Sequence, residues 1–532
     1  MITLTRNKDR CDGLTPYGYI FAVMLLMPFW GCASLPENVD RPPTHAFTNT
    51  QDTTLGRAFA DDMAARPGQS GFFPLNNGLD AFTARAVLAH VAQRSIDTQY
   101  YMIHNDVVGS LFVDQLYKSA ERGVRVRLLV DDIDQEGRDF GAAVLDSHPN
   151  IEVRIFNPFA RNTGRTMQYV TGFNKQTRRA HNKSFTVDNQ ATILGGRNIG
   201  DEYFEADPDL AFVDMDVLSV GPVARGVSAS FDQYWNSPLS YPITTLVEKP
   251  PLPAEIEQRK KVFDDFIRQQ TDSEYLQHLR DSDLANLLKH GRLVYHWGNG
   301  EVVADDPEKL THDFDETQYH LSTALKPYLG AIKKELTISS PYFVPGKSGV
   351  AFFKQLREKG VRVRILTNSL SSTDVSLVHA GYARYRKALL RMGVELYELN
   401  KNLSREERDE AKEGSLGRSK SSLHAKAFVM DRETVFIGSL NLDARSVIQN
   451  TEIGVIFDSP PIAEQMSDSF AQNIDKAAFR LELKTGANGS EQILWHGLVD
   501  GKPQTLDVDP YTGFWKRLGI GCMQLLPIES QI

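Results

Sequence analysis

The chain has 532 residues, 41% of them hydrophobic and 24% charged, enough for two or three domains with a sizeable core. Its formal net charge of -9 speaks against a dedicated nucleic-acid binder, which would carry a basic domain. The cysteines are Cys11, Cys32 and Cys522, with no CxxC or Cys/His cluster, so neither a zinc site nor a disulfide framework is expected.

In chain order, Arg6, Lys8 and Arg10 precede an apolar run from Tyr19 to Trp30, followed by Gly31-Cys32-Ala33-Ser34. Residues 1–32 resemble a bacterial lipoprotein signal, with Cys32 as the lipidated residue after cleavage. That implies a lipid-anchored protein of a Gram-negative cell envelope, facing the periplasm. No other run is long enough to span a bilayer. Residues 33–75 are rich in Pro, Thr, Asp and Gly and read as a tether, with order expected near Phe72.

Short apolar strands then alternate with amphipathic helices, the pattern of an α/β protein. A helix ending near Gly123 leads into Val124-Arg125-Val126-Arg127-Leu128-Leu129-Val130, and the same unit recurs as Gly360 followed by Val361-Arg362-Val363-Arg364-Ile365-Leu366. Gln99-Tyr100-Tyr101 is echoed by Ser340-Pro341-Tyr342-Phe343. An internal duplication follows. Its first copy is placed at 77–245 and its second at 320–480. Residues 246–319 are a connecting insertion, and 481–532 a C-terminal extension.

Each copy carries one set of chemistry-bearing residues. His181, Lys183, Asp188, Gly195 and Asn198 recur as His424, Lys426, Asp431, Gly438 and Asn441 with identical spacing. Residues two apart on a strand share a face, so each His-Lys pair projects together. The small residues at Gly195 and Gly438 let backbones approach and bring the asparagines beside those pairs. Asp188 and Asp431 fall at turns and are expected to be structural. Downstream, Asp214 aligns with Glu452 as a candidate orienter of an imidazole, and is preferred on that ground over Asp216.

The doubled HxKx4D pattern, followed by Gly and Asn, resembles the phospholipase D superfamily over nearly all of the chain after the tether. The resemblance implies a duplicated α/β fold, two α-β-α sandwich halves packed about a pseudo-two-fold axis. Both His, Lys and Asn pairs would then surround one anion-sized site. One imidazole would attack phosphorus while the other serves the leaving and entering oxygens. By the usual assignment in that superfamily, His181 is the nucleophile. Lysines and asparagines would hold the non-bridging oxygens, so no metal or other cofactor is required.

Asn441-Leu442-Asp443-Ala444-Arg445-Ser446 and Asn450-Thr451-Glu452 are similar to elements of bacterial cardiolipin synthases. Phe156-Asn157-Pro158-Phe159, Gly195 to Asp201 and His379 to Arg384 narrow the resemblance to the C-type branch of Gram-negative bacteria. It implies phosphatidyl transfer to phosphatidylglycerol, with phosphatidylethanolamine as an alternative donor. A hydrolytic phospholipase D is the competing reading, and a nuclease of the same superfamily a weaker one. From Arg154 to Lys183 there are seven Lys or Arg residues and no Asp or Glu. Arg178 and Arg179 in this stretch are candidates for an anionic headgroup. Phe514-Trp515-Lys516-Arg517-Leu518-Gly519-Ile520, continuing to Leu525-Leu526, reads as an interfacial helix on a membrane surface.

Overall fold

The computed structural model describes residues 34–171, 176–207, 210–290, 292–402 and 420–525. Cys32 and the apolar run before it lie outside the described residues. The expected α/β duplication is present as two sheets. Each is centred on three parallel strands of β-branched and aliphatic residues joined by helical crossovers, the connection that parallel pairing demands.

In the first sheet the parallel strands are Ser95–Tyr100, Arg125–Asp131 and Ile151–Phe156. The motif hairpin Ser184–Val187 and Ala191–Gly195 pairs antiparallel beside them, followed by Asp216–Val220 and Ser70–Leu75. The second sheet repeats this with Glu335–Ser339, Arg362–Asn368 and Glu395–Leu399, the hairpin Ala427–Met430 and Thr434–Gly438, then Ile453–Asp458. The two halves meet through a shared apolar layer that includes Phe72, Leu194 and Val217 from one and Val435, Val455 and Phe457 from the other. Phe72 and Phe457 stack at 4.1 Å between ring centroids.

Three segments depart from the sequence expectation. The stretch read as a tether is bound to the first half. Thr44 and Ala46 donate their backbone N–H to Asn236 and Asp232, and Arg127 and Arg154 donate to the carbonyls of Thr44 and Pro42. Its last residues, Ser70–Leu75, are a sheet strand. The connecting insertion supplies an edge strand to each sheet, His296–Gly298 to the first and Gly300–Ala304 to the second. The C-terminal extension continues the second sheet with Ala478–Thr485, Glu491–Val499 and Lys502–Leu506. The physical reason is common to all three: sheet edges and buried guanidinium groups need hydrogen-bond partners, and these segments provide them. Among the described residues no helix is long and apolar enough to cross a membrane.

The motif aspartates sit at the hairpin turns. Asp188 and Asn189 have φ of 52° and 53°, and Asp431 and Arg432 have 54° and 60°, a region Asp and Asn enter more readily than most residues. The Asp188 carboxylate accepts from the backbone N–H of Gln93, Arg94 and Ser95. Asp431 does the same for Lys333, Lys334 and Glu335. Each clamp ties the turn to the start of the first parallel strand of its own half. Asp188 is fully buried, whereas two of the three Asp431 contacts are exposed. Asp188→Ala is therefore expected to cost about 2 kcal/mol or more, from the stranded amides, and Asp431→Ala distinctly less. Urea denaturation of the two variants measures this; equal losses would remove the clamp explanation.

Candidate active site

The strand before each motif histidine is sewn to the opposite half. The His181 N–H donates to Thr451 O at 2.8 Å, and the Thr451 N–H to Arg179 O at 2.9 Å. The strands Leu210–Val213 and Lys420–Leu423 pair in parallel, and the His424 N–H donates to Val213 O at 2.8 Å. These links place Glu452 of the second half under His181, and Asp214 of the first half under His424. Nδ1 of His181 lies 2.9 Å from Glu452 Oε2, and Nδ1 of His424 lies 2.5 Å from Asp214 Oδ2. Sequence alone had paired neither carboxylate with a particular histidine. Asp216, the competing candidate, is taken up by Arg85 at 2.8 Å.

A carboxylate on Nδ1 holds the proton there and leaves Nε2 as the atom free to attack or to transfer a proton. The lysines lie on the same strands. Lys183 Nζ donates to His181 O at 2.6 Å, and Lys426 Nζ to His424 O at 2.5 Å. Asn198 donates to the Tyr203 hydroxyl at 2.8 Å, while its buried Oδ1, like that of Asn441, has no protein partner. Amide O and N are interchangeable by a flip, so each side chain keeps a hydrogen-bonding atom in reserve.

The site holds titratable groups away from water. Burial first, then Lys183, Lys426 and His424, pushes His181 well below the usual histidine range. That mutual influence also places both histidines and both lysines in one electrostatic field. Burial, then Lys426, lowers His424 too, and Asp214 offsets only part of that fall. Burial lowers Lys426 to about 8, and burial lowers Lys183 too, with Glu452 pulling it back in part. The two carboxylates differ. Burial raises Glu452 to about 7 despite Lys183 and a hydrogen bond from Ser439. In Asp214 the same penalty is outweighed by His424, Lys426 and Arg197, and the group is held below the usual carboxylate range. Such perturbed, convergent groups are what phosphoryl chemistry needs: a neutral nucleophile, a proton carrier and cations.

Several neighbours carried no sequence signal. Tyr101 meets His181 edge-on at 4.9 Å, and Tyr203 meets His424 at 5.1 Å. Phe212 stacks on His424 at 5.2 Å. Ser439 Oγ donates to Glu452 at 2.5 Å, and Asp305 accepts the Glu452 N–H at 2.8 Å. At the corresponding place in the first half stands Gly196, where a Cβ would lie 2.2 Å from Asp214 Oδ1. Only glycine admits that carboxylate.

The arginines expected to bind a headgroup are already engaged. Arg179 is fully buried and donates to Asp131 at 3.2 Å and to Asn157 O at 2.9 Å. Arg178 donates to His312 O at 2.6 Å and lies over the Phe314 ring. The basic stretch around them is neutralised from elsewhere in the fold, as Arg161 is by Asp132 and Asp139. Both arginines hold the fold together here, Arg179 from a fully buried position and Arg178 from a partly exposed one. For a metal, His104, Asp106 and Glu202 bring one ligand atom each within 4.8 Å of one another. Glu202 is already spent on His104, at 3.2 Å.

Residues 88–235 and 325–474, together more than half of the chain, match the family described as cardiolipin synthase, PLD-like domain. Cardiolipin synthase C of Escherichia coli (strain K12) is 41% identical over 478 residues, covering 89% of this chain and 99% of that protein. Cardiolipin synthase of Geobacillus sp. (strain WCH70) is 26% identical over 416 residues, or 76% of this chain and 66% of the relative. Among solved structures, phosphatidylserine synthase of Haemophilus influenzae Rd KW20 aligns at a TM-score of 0.49 and 13% identity, over 76% of this chain and 85% of that one. With both copies of the motif matched and one relative aligned nearly end to end, the chain belongs to the cardiolipin synthase family of phospholipase D-like proteins.

Proposed function

We propose that the protein is a phosphatidyltransferase that makes cardiolipin through a phosphohistidine on His181. The observation that carries this is the crossed pair of carboxylate-held imidazoles between two buried lysines. Nε2 of His181 attacks the phosphorus of a donor such as phosphatidylglycerol, and the bond from phosphorus to the headgroup oxygen breaks. His424, whose imidazolium Asp214 stabilises, gives its proton to that oxygen and glycerol leaves. Neutral His424 then takes the proton of a primary hydroxyl on a second phosphatidylglycerol. That oxygen attacks phosphorus, the phosphorus–nitrogen bond breaks, and cardiolipin is released. The ammonium groups of Lys183 and Lys426 and the amides of Asn198 and Asn441 hold the non-bridging oxygens throughout.

Purified protein incubated with phosphatidylglycerol, with and without phosphatidylethanolamine, is expected to yield cardiolipin by mass spectrometry. Rapid quench of His424→Ala is expected to leave the phosphatidyl adduct on His181. Phosphatidic acid as the main product would make the enzyme a hydrolytic phospholipase D. An adduct on His424 in the wild type would reverse the histidine roles.

Loss of the charge on Lys426 contributes an alkaline limb. Its ammonium is present below about 8 and lost above it, so kcat/KM, which reports the free enzyme, is expected to fall as pH rises through that value. Lys426→Arg stays charged, and its residual activity should lack this limb. An unchanged limb in the variant would sink the assignment.

Phospholipid substrates imply action at a membrane surface, and two elements suit it. One is acylation at Cys32 on the periplasmic face of the envelope; a single chain gives only marginal anchoring, so a second contact is needed. The other is the helix Phe514–Met523. Its inner residue Ile520 packs on Leu370 and Ala380, and Lys516 donates to Leu370 O at 2.8 Å. Phe514, Trp515 and Leu518 remain exposed, as does Leu525 just beyond. Replacing Phe514, Trp515 and Leu518 by Ser, in a Cys32→Ser background, is expected to weaken sedimentation with anionic vesicles by at least about tenfold. Turnover of dispersed short-chain phosphatidylglycerol should stay as it was. Undiminished vesicle binding would exclude the helix as the contact.

A further inference from the structure

A cavity of about 750 Å³ lies beneath the outer helices of the first sheet. Its floor is Leu128, Val130, Val153 and Ile155, alternate residues of two neighbouring strands that point to one face. Val113 of the helix Val107–Glu121 and Val144 of the helix Asp139–Asp146 form its walls. Ile256, Phe263 and Phe266 of the helix Pro253–Gln270 form its roof. Protein interiors are close-packed, with few voids larger than a water molecule. The size and apolar lining are those of ligand sites, which span roughly 300–1,000 Å³. Apolar surface in such a pocket accepts apolar guests.

The roof helix points the same way. It has eighteen residues and none is buried, so its apolar face covers the void without being packed into a core. Val262 on the roof and Phe140 on the wall are exposed apolar residues at the rim.

Polar groups stand at the ends of the cavity, and one end abuts the catalytic strands. His104, Gln135 and Arg138 line it where Ser95–Tyr100 and Arg125–Asp131 finish. At that edge Asp131 accepts the Ala180 N–H, next to His181. Arg138 donates to Ile103 O at 2.7 Å, and the His104 N–H donates to Ile199 O at 2.8 Å, one residue from Asn198. From there the cavity runs along the strands to His148 at the opposite edge. One end of the cavity thus lies at the sheet edge from which the chain leads to His181, and its floor and the inner face of its roof are apolar, with charged residues such as Arg259, Lys260 and Asp264 also lining it.

We infer that this cavity is a slot for one fatty acyl chain of the phospholipid substrate, entered from the catalytic end and roofed by the helix Pro253–Gln270. The inference rests on the phospholipid reading given under the proposed function. A bound chain would draw the phosphodiester toward His181 and let the enzyme discriminate among lipids by chain length. One chain per phosphatidyl group is held; the other stays with the bilayer.

Two measurements on the full-length protein test the slot. Vesicles of phosphatidylglycerol bearing a diazirine at the end of one acyl chain are irradiated with the enzyme, and the adducts are mapped by peptide mass spectrometry. Label on Val153, Phe263 or Phe266 is expected; label confined to other segments, such as 514–525, overturns the slot. The second measurement uses Gly141→Phe. Gly141 lines the cavity, and a Cβ there meets nothing within 4 Å, so a larger side chain can start from this position toward the cavity. Turnover of lipids with eighteen-carbon chains should fall at least roughly fivefold relative to six-carbon chains, as buried methylenes are lost, with the melting temperature held or raised. Long and short chains affected alike would overturn the slot. A wild-type protein that turns over phospholipid without cavity label refutes the slot and leaves the functional reading standing. Cavity label without turnover of any phospholipid does the reverse.

Discussion

Everything in the catalytic centre depends on two imidazole–carboxylate contacts made across the boundary between the halves. His181 rests on Glu452 and His424 on Asp214, so each half holds the orienting group of the other. Neither half can fix the tautomer of its own histidine. The backbone repeats the exchange: the Ala180–Thr451 bridge and the parallel pair Leu210–Val213 with Lys420–Leu423 both join strand segments from opposite halves. The apolar layer around Phe72 and Phe457 gives that exchange its driving force, because it buries surface that each sheet alone would leave in water. Assembly of the two halves and formation of the site are then one event.

Burial in turn sets the chemistry. Two lysines, two histidines and two carboxylates sit almost out of solvent. A charge taken out of water is costly unless it is paired or shifts its proton equilibrium. Both remedies operate. Asp214 is held ionised by His424 and Lys426, while Lys426 itself drops to about 8. Each lysine spends one donor on the carbonyl of its own motif histidine, which fixes the ammonium without neutralising it. Lys426 Nζ also lies 2.9 Å from His424 Nδ1, and an NH₃⁺ group has three donors, which leaves each lysine at least one for an anion. A phosphodiester entering the cleft relieves the desolvation penalty, so part of the cost of building the site is recovered when substrate binds.

The sequence disclosed the motif residues and the duplicated fold because both depend on short-range periodicity. Spacing of two on a strand, a turn aspartate and a small residue at the strand end leave a pattern that survives without coordinates. It disclosed less wherever the partner lies far along the chain. Arg178 and Arg179 looked free because their surroundings in sequence lack acids. Asp131, which holds Arg179, ends a strand nearly fifty residues earlier. Residues 34–69 looked like a tether because their composition is that of one. Their carbonyls and amides are nonetheless used by Arg127, Arg154, Asp232 and Asn236. Likewise Tyr101, Tyr203 and Phe212 are ordinary aromatics in sequence, and only the fold brings them against the imidazoles.

A duplicated site poses the question of why its two histidines should differ. The spacing is the same in both copies, so the difference must come from what surrounds each carboxylate. At Gly196 the first half has no side chain, and Asp214 comes close enough to take the N–H of Met215 at 2.7 Å while still meeting His424. At the matching position the second half has Ser439, and the longer Glu452 is wedged between its hydroxyl and His181, beside Asp305. Asp305 is itself buried and raised to about 7, by burial first and with Glu452 adding to it. Burial raises Glu452 to about 7, and burial with the nearby lysines keeps His181 well below the usual histidine range. Asp214 remains ionised and stabilises a proton on His424. Gly196 and Ser439, at equivalent points of a repeated hairpin, thus stand beside two unlike carboxylates: Asp214 is held low by His424 and Lys426, and Glu452 is raised by burial even though the Ser439 hydroxyl pulls it down.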